Sequence, residues 1–221
     1  MTNPWLDLPL ADYEGHMAHP DVAQSPLLAE VFAQHLNIFR PQSVAVIGCA
    51  GGNGFERIDR AITRRVVGVD LNGRYLEQVR RRFQTDFERL DRIFERLDLV
   101  FEHLELIEGD IQTNAVEFDP VDLVYAALVF EYVDVDATLA RLRRFLNPGG
   151  ALVTLVQLPS TELSPVSPSP YRSLLALESV MNLVDPDHLQ AIAGHHGLRQ
   201  LSCSTRETGS GKRFQVQTFQ A

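Results

Sequence analysis

Residues 44–57 read VAVIGCAGGNGFER. An unbroken apolar run, Val44 to Ile47, stops at Gly48, and glycine returns at positions 51, 52 and 54. A short apolar run closed by glycine reads as a buried strand. Glycines this dense behind a strand let the backbone come close to a ligand, with N–H groups free to face it. The reading of this loop decides the fold and the chemistry of the chain.

Working outward, residues 26–39 carry Leu27, Leu28, Val31, Phe32 and Leu36 at helical spacing, and Pro41 ends that helix. Beyond the loop, Phe55, Ile58 and Ile62 predict a helix over 54–63. VVGVDLN (66–72) is a second apolar strand ending in an acid, and RYLEQVRRRF (74–83) a helix. LELIEGDI (104–111), VDLVYAALVF (121–130) and ALVTLV (151–156) are three further strands. DATLARLRRFL (136–146) is an amphipathic helix stopped by NPGG. A Pro/Ser loop (159–170) leads to a helix expected over 173–184. DPDHLQAIAGHHG (185–197) has proline in its first turn and glycine at its end, and the tail around GSG reads as a hairpin. Strands alternating with helices predict a doubly wound, mostly parallel sheet, seven-stranded with the hairpin and antiparallel at its end. Such sheets hold ligands at the carboxyl ends of the strands, where the strand order reverses.

The chain has 221 residues, 45% hydrophobic and 22% charged, enough for one α/β domain. Its net charge of −9 repels phosphate backbones and argues against nucleic acid as a partner. The first residues, MTNPWLDLPLADYEGHM, lack the basic flank and apolar core of a signal peptide or membrane anchor. Cys49 and Cys203 form no paired framework and read as reduced thiols of a cytoplasmic protein. No metal spacing is present: His188, His195 and His196 sit near a helix end without a matching cysteine or carboxylate. FERLDRI, FERLDLV and FEHLELI (87–107) are near copies of one heptad. They suit an insertion packed on its own surface or a helical arm for a homodimer through residues 84–104.

A dinucleotide loop requires G-x-G-x-x-G. Starting at Gly48 the second glycine is Ala50, and starting at Gly52 the third is Arg57, too bulky for close helix–strand packing. The loop instead resembles the first motif of the class I S-adenosylmethionine-dependent methyltransferases, with Gly48, Ala50 and Gly52 on its three small positions. Val46 stands where many members carry an acid. The resemblance continues in order over residues 40–221. It implies a Rossmann-like α/β fold with S-adenosyl-L-methionine as cofactor. Asp70 would accept from the ribose hydroxyls, beside Leu71. Asp110 would meet the adenine amino group and Ile111 the ring. Ala126 and Ala127 would line the sulfonium, and Cys49 and Asn53 belong to the loop. DYEGHM resembles the lid of small-molecule members, so Tyr13 and His16 are candidates to close over the cofactor; packing on the domain surface is the alternative.

The expected organisation is one methyltransferase domain: lid and helix (1–40), cofactor core (41–157), substrate-side insert (158–184), and closing helix and hairpin (185–221). In-line methyl transfer rests on alignment, and a base is needed only for a protonated acceptor. No universal catalytic residue is expected; Tyr132, Glu131 and His16, with Tyr171, flank the expected site. The acceptor is expected to be a small molecule with an O, N or C nucleophile, and apolar residues of the insert (Leu163, Val166, Leu174, Leu175, Met181) suggest an apolar one. A protein acceptor, a cofactor-binding module without turnover and a nicotinamide dehydrogenase are the alternatives.

Overall fold

The computed structural model describes residues 3–84 and 104–221. Seven strands form one sheet: β1 (Ser43–Ile47), β2 (Arg65–Asp70), β3 (Leu104–Glu108), β4 (Val121–Ala127), β5 (Leu146–Gln157), β6 (Arg199–Glu207) and β7 (Arg213–Gln220). Their order is β3-β2-β1-β4-β5-β7-β6. The first five run parallel, and β7 is inserted antiparallel between β5 and β6. The sheet therefore matches the expected fold, and the strand order reverses between β1 and β4. That switch point opens the crevice where ligands bind in such sheets.

The strands alternate faces residue by residue. Val44, Val46, Leu123, Tyr125, Val153 and Leu155 point into one core, against Leu28, Val31 and Phe32 of α2 (Gln24–Phe39) and Leu76 and Val79 of α3 (Gly73–Val79). Ala45, Ile47, Val67, Val124, Leu152 and Val156 point into the other. There Leu139 and Leu142 of α4 (Val135–Arg144) and Leu189 and Ala193 of α5 (Pro186–His195) cover them. Burial on both faces explains why these strands read as continuous apolar runs. Asp185 caps α5 by accepting from Asp187 N–H at 2.9 Å, with Pro186 in the first turn, as its sequence predicts.

Two expected helices are corrected. Residues 54–63 contain only a 3₁₀ turn, Phe55–Arg57, after which Ile58 is extended. Asp59 then captures the Ala61 N–H at 2.9 Å with its side chain, a local bond that competes with helix formation. Phe55 and Ile58 are still buried, so their spacing reported the core without an α-helix. In the insert, the helix over 173–184 is a 3₁₀ segment, Arg172–Ser179, and residues 181–185 are irregular. The heptad copies and the proposed dimer arm lie largely in 85–103, outside the described residues. Among the described residues no helix is long and apolar enough to cross a membrane.

Candidate active site

The glycine loop is tied to its neighbour strand before any ligand enters. Gly48 and Cys49 N–H both donate to Val69 O, at 2.9 and 3.1 Å. Gly48, Ala50 and Gly52 all adopt positive φ (67°, 47° and 91°), so Ala50 holds the left-handed conformation that glycine usually fills. Asp70, at the end of β2, fastens this turn. Its Oδ2 accepts from Ala50 N–H at 2.8 Å and its Oδ1 from Asn72 N–H at 2.9 Å. Burial raises its pKa to about 6 against the pull of those backbone bonds. It forms no ion pair with a described residue.

A single cleft above the switch point gathers most of the expected contacts. Tyr13, His16, Gly48, Ala50, Asp70, Leu71, Asp110, Ile111, Ala127 and Tyr132 all line it. Counting its open mouth, the cleft holds about 1170 Å³ of empty space. Asp110 is engaged by Gln112, whose N–H and Nε2 donate to Oδ1 at 2.9 and 3.1 Å. Other expected residues stand behind the wall. Cys49 and Ala126 are fully buried in the two cores. Gly52 backs onto the Phe83 ring, and Asn53 donates to Tyr13 Oη at 3.2 Å. Glu131 does not line the cleft; its Oε1 accepts from Gln157 N–H at 2.7 Å while Oε2 is buried with no partner among the described residues. Burial raises the Glu131 pKa to about 7.

The roof comes from the N-terminal segment and the insert. DYEGHM is itself helical, within α1 (Leu10–Ala18). Asn72 Nδ2 donates to Trp5 O at 2.9 Å, Tyr75 Oη donates to Leu8 O at 2.9 Å, and Glu14 pairs with Arg82. These bonds hold the first residues over the cleft. The insert packs against them through Leu8, Val166, Leu174 and Leu177, with Trp5, Tyr13 and Tyr132 alongside. Gly15 allows the closest approach, because a Cβ there would lie 2.3 Å from the Tyr171 ring. Across the same seam, His16 Nδ1 lies 2.8 Å from Ser169 Oγ. Burial, aided by Lys212 and His19, lowers the His16 pKa to about 4. Val166, Leu174 and Met181 line the cleft as the composition of the insert suggested, whereas Leu163 and Leu175 face solvent. Trp5, Tyr75, Gln112, Val129 and Leu177 also line it and carry no motif that singles them out in the sequence.

The donors and acceptors here fit a nucleoside. Asp70 presents a shielded, acceptor-only carboxylate with lone pairs left over, which suits the two hydroxyl donors of a ribose. Ile111 and Leu71 offer apolar surface beside it for a flat ring. Fold, switch-point cleft and acid-ended β2 together define a Rossmann-like nucleoside-cofactor enzyme. A family model described as a methyltransferase domain matches residues 45–154, the stretch from β1 into β5. The chain belongs to this family, the class I S-adenosylmethionine-dependent methyltransferases. No curated protein sequence matches it.

Solved structures agree at the level of fold. The N-methyltransferase NodS from Bradyrhizobium japonicum WM9, in complex with S-adenosyl-L-homocysteine, is 15% identical with a TM-score of 0.66, covering 99% of this chain and 98% of that one. Geranyl diphosphate C-methyltransferase from Streptomyces coelicolor A3(2) is 16% identical with a TM-score of 0.61, covering 86% and 77%. Magnesium protoporphyrin IX methyltransferase from Synechocystis PCC 6803 is 12% identical with a TM-score of 0.59, covering 87% and 81%.

Proposed function

We propose that this methyltransferase acts on a small-molecule acceptor. The carrying observation is that the cleft is continuous from Asp70 and Gly48 to a roof of Leu174, Leu177 and Met181 contributed by the chain itself. Such a roof suits an acceptor that is enclosed, and an extended peptide needs an open groove instead. Two of the structural neighbours act, by their names, on geranyl diphosphate and magnesium protoporphyrin IX, which are also small molecules.

In this reading the Gly48–Ala50 backbone and Asp70 hold the cofactor's sugar end. Leu71, Asp110 and Ile111 hold its base, and Ala127 stands beside the reacting centre. S-adenosylmethionine, when bound, supplies an electrophilic methyl group on a positively charged sulfur. The chain contributes alignment and exclusion of water: Tyr13 and Trp5 close one side, and Leu174 and Leu177 the other. Calorimetric titration with S-adenosylhomocysteine, with NADH as control, tests the reading. Binding of the former alone supports it. Binding of NADH alone, or methylation only of peptides in a subsequent acceptor screen, overturns it.

A further inference from the structure

The roof half of the cleft has a distinct chemistry. Val129, Val133, Val166, Leu174, Leu177 and Met181 make it apolar. Its polar groups are neutral: Gln157, Ser167, Tyr132 and the His16 ring. Among the described residues lining the cleft there is no lysine or arginine. Lys212, the nearest buried cation, spends its ammonium on Ser164 O and Pro165 O at 3.1 and 2.7 Å. An acceptor carrying a phosphate or carboxylate would enter this half with no lysine or arginine lining it to pair with, at a heavy desolvation cost.

His16 is the basic group placed here. Its Nδ1 is held by Ser169 Oγ, which also accepts from Tyr171 N–H at 3.2 Å. With the proton on Nδ1, Ser169 Oγ accepts from both donors, and Nε2 keeps its lone pair, without a partner among the described residues, on a ring that lines the cleft. Resting on the small-molecule methyltransferase reading, we infer that the acceptor is an uncharged, apolar molecule bearing a hydroxyl group, and that Nε2 of His16 takes the hydroxyl proton.

The acceptor oxygen forms the new O–C bond as the C–S bond breaks with its electron pair on sulfur. The O–H proton passes to Nε2, and the imidazolium later returns it to solvent. An oxygen that kept this proton would become a protonated ether, a far stronger acid than imidazolium. A weakly basic ring therefore suffices, provided it starts neutral. The charged and titratable groups acting on the ring are Lys212 in the β6–β7 turn and His19 at the end of α1, and both favour the neutral form. A neutral amine acceptor needs no such base, because its methylated product is stable as an ammonium ion.

The test begins with S-adenosylhomocysteine bound to wild type and His16→Gln. Silence in the wild type refutes the methyltransferase reading itself. Equal affinity in both, within about threefold, is expected if His16 serves the acceptor. Next come uncharged phenols and primary alcohols of graded size, each paired with the amine and carboxylate of the same skeleton. Trp5, the single tryptophan of the chain, lines the cleft and reports their binding by fluorescence. Hydroxyl compounds should bind and be methylated in preference to their paired carboxylates and amines. With the best phenol, His16→Gln should lower kcat by about 100-fold or more at pH 7. The wild-type rate should be flat from pH 6 to 9, while the variant's should climb with pH as phenolate forms unaided. Ser169→Ala should fold, bind and lose part of the rate. Preference for amines or carboxylates, no hydroxyl compound shifting the Trp5 signal, or a flat profile in His16→Gln with weakened S-adenosylhomocysteine binding would overturn the inference.

Discussion

The Ala50 backbone N–H donates to Asp70 Oδ2 at 2.8 Å, so the glycine loop and the acid at the end of β2 are one unit before any cofactor binds. Ala50 pays the steric cost of a left-handed residue, at φ 47°, and this bond holds it there. Preorganisation of this kind lowers the entropy lost on binding.

Asp70→Ala separates the two roles of that carboxylate. Affinity for S-adenosylhomocysteine should fall by about 10–100-fold, the scale of a lost charge-assisted hydrogen bond of ~1.5–3 kcal/mol. The ligand-free protein should lose only about 1 kcal/mol or less at pH 8. Ala50 and Asn72 N–H lose their acceptor, and removal of a carboxylate whose pKa burial raises to about 6 offsets part of that cost. Calorimetry and thermal melts measure both. A large drop in melting temperature would mean that Asp70 serves the loop more than the ligand.

Gly52, the third small position of the loop motif, faces Phe83 rather than the cleft. A Cβ there would lie 2.4 Å from the ring, and φ is 91°. Gly52→Ala should destabilise the protein by about 2–3 kcal/mol through backbone strain and overpacking. Adding Phe83→Ala should recover the steric part and leave the φ penalty. A double-mutant cycle measures the coupling. Strict additivity of the two substitutions would show that the loop yields elsewhere.

The central strands were legible because β1, β2 and β4 are buried on both faces, so Val44–Ile47 or Val66–Val69 read as apolar runs; the order of the strands in the sheet left no such mark. Asp70 was legible because it ends such a run, whereas Asp110 follows β3 and stood out only through the family resemblance. The segment 54–63 was misread for a physical reason. Phe55 and Ile58 obey helical spacing, but the Asp59 side chain diverts the backbone. The roof was only partly legible. Trp5, Tyr75 and Leu177 meet across elements far apart in sequence, and that proximity leaves no periodic trace. Gly15 is a weak helix former whose purpose appears only when the Tyr171 ring is seen against it.

The N-terminal segment is latched by Tyr75, whose buried Oη donates to Leu8 O at 2.9 Å. Tyr75→Phe removes one bond and leaves the carbonyl unpaired, a cost of about 1–1.5 kcal/mol. If exchange of the cofactor requires this segment to lift, release of S-adenosylhomocysteine should quicken by about 10-fold, a ratio worth ~1.4 kcal/mol. Stopped-flow displacement followed by Trp5 fluorescence gives the rate. A lowered melting temperature with unchanged release would show that the ligand leaves by another route.

Glu131 makes stability depend on pH. Its carboxyl ionises at about 7 in the folded chain against 4.5 in its ordinary state, because burial disfavours the charge. Below about pH 4.5 the group is neutral in both folded and unfolded chains. Between 4.5 and 7 the unfolded chain loses the proton first, so this group's contribution to stability falls as pH rises, and above 7 the penalty is complete. Glu131→Gln keeps an acceptor for Gln157 N–H and removes the charge. Its amide nitrogen would replace Oε2, which has no partner among the described residues, and that offsets part of the gain. The variant should therefore be more stable than wild type by about 1–2 kcal/mol at pH 8, less than the ~3 kcal/mol that the full shift represents. The difference should shrink towards zero or reverse near pH 4. Melts of both proteins across this range give the comparison, and a difference independent of pH would show that the Glu131 charge is screened by solvent.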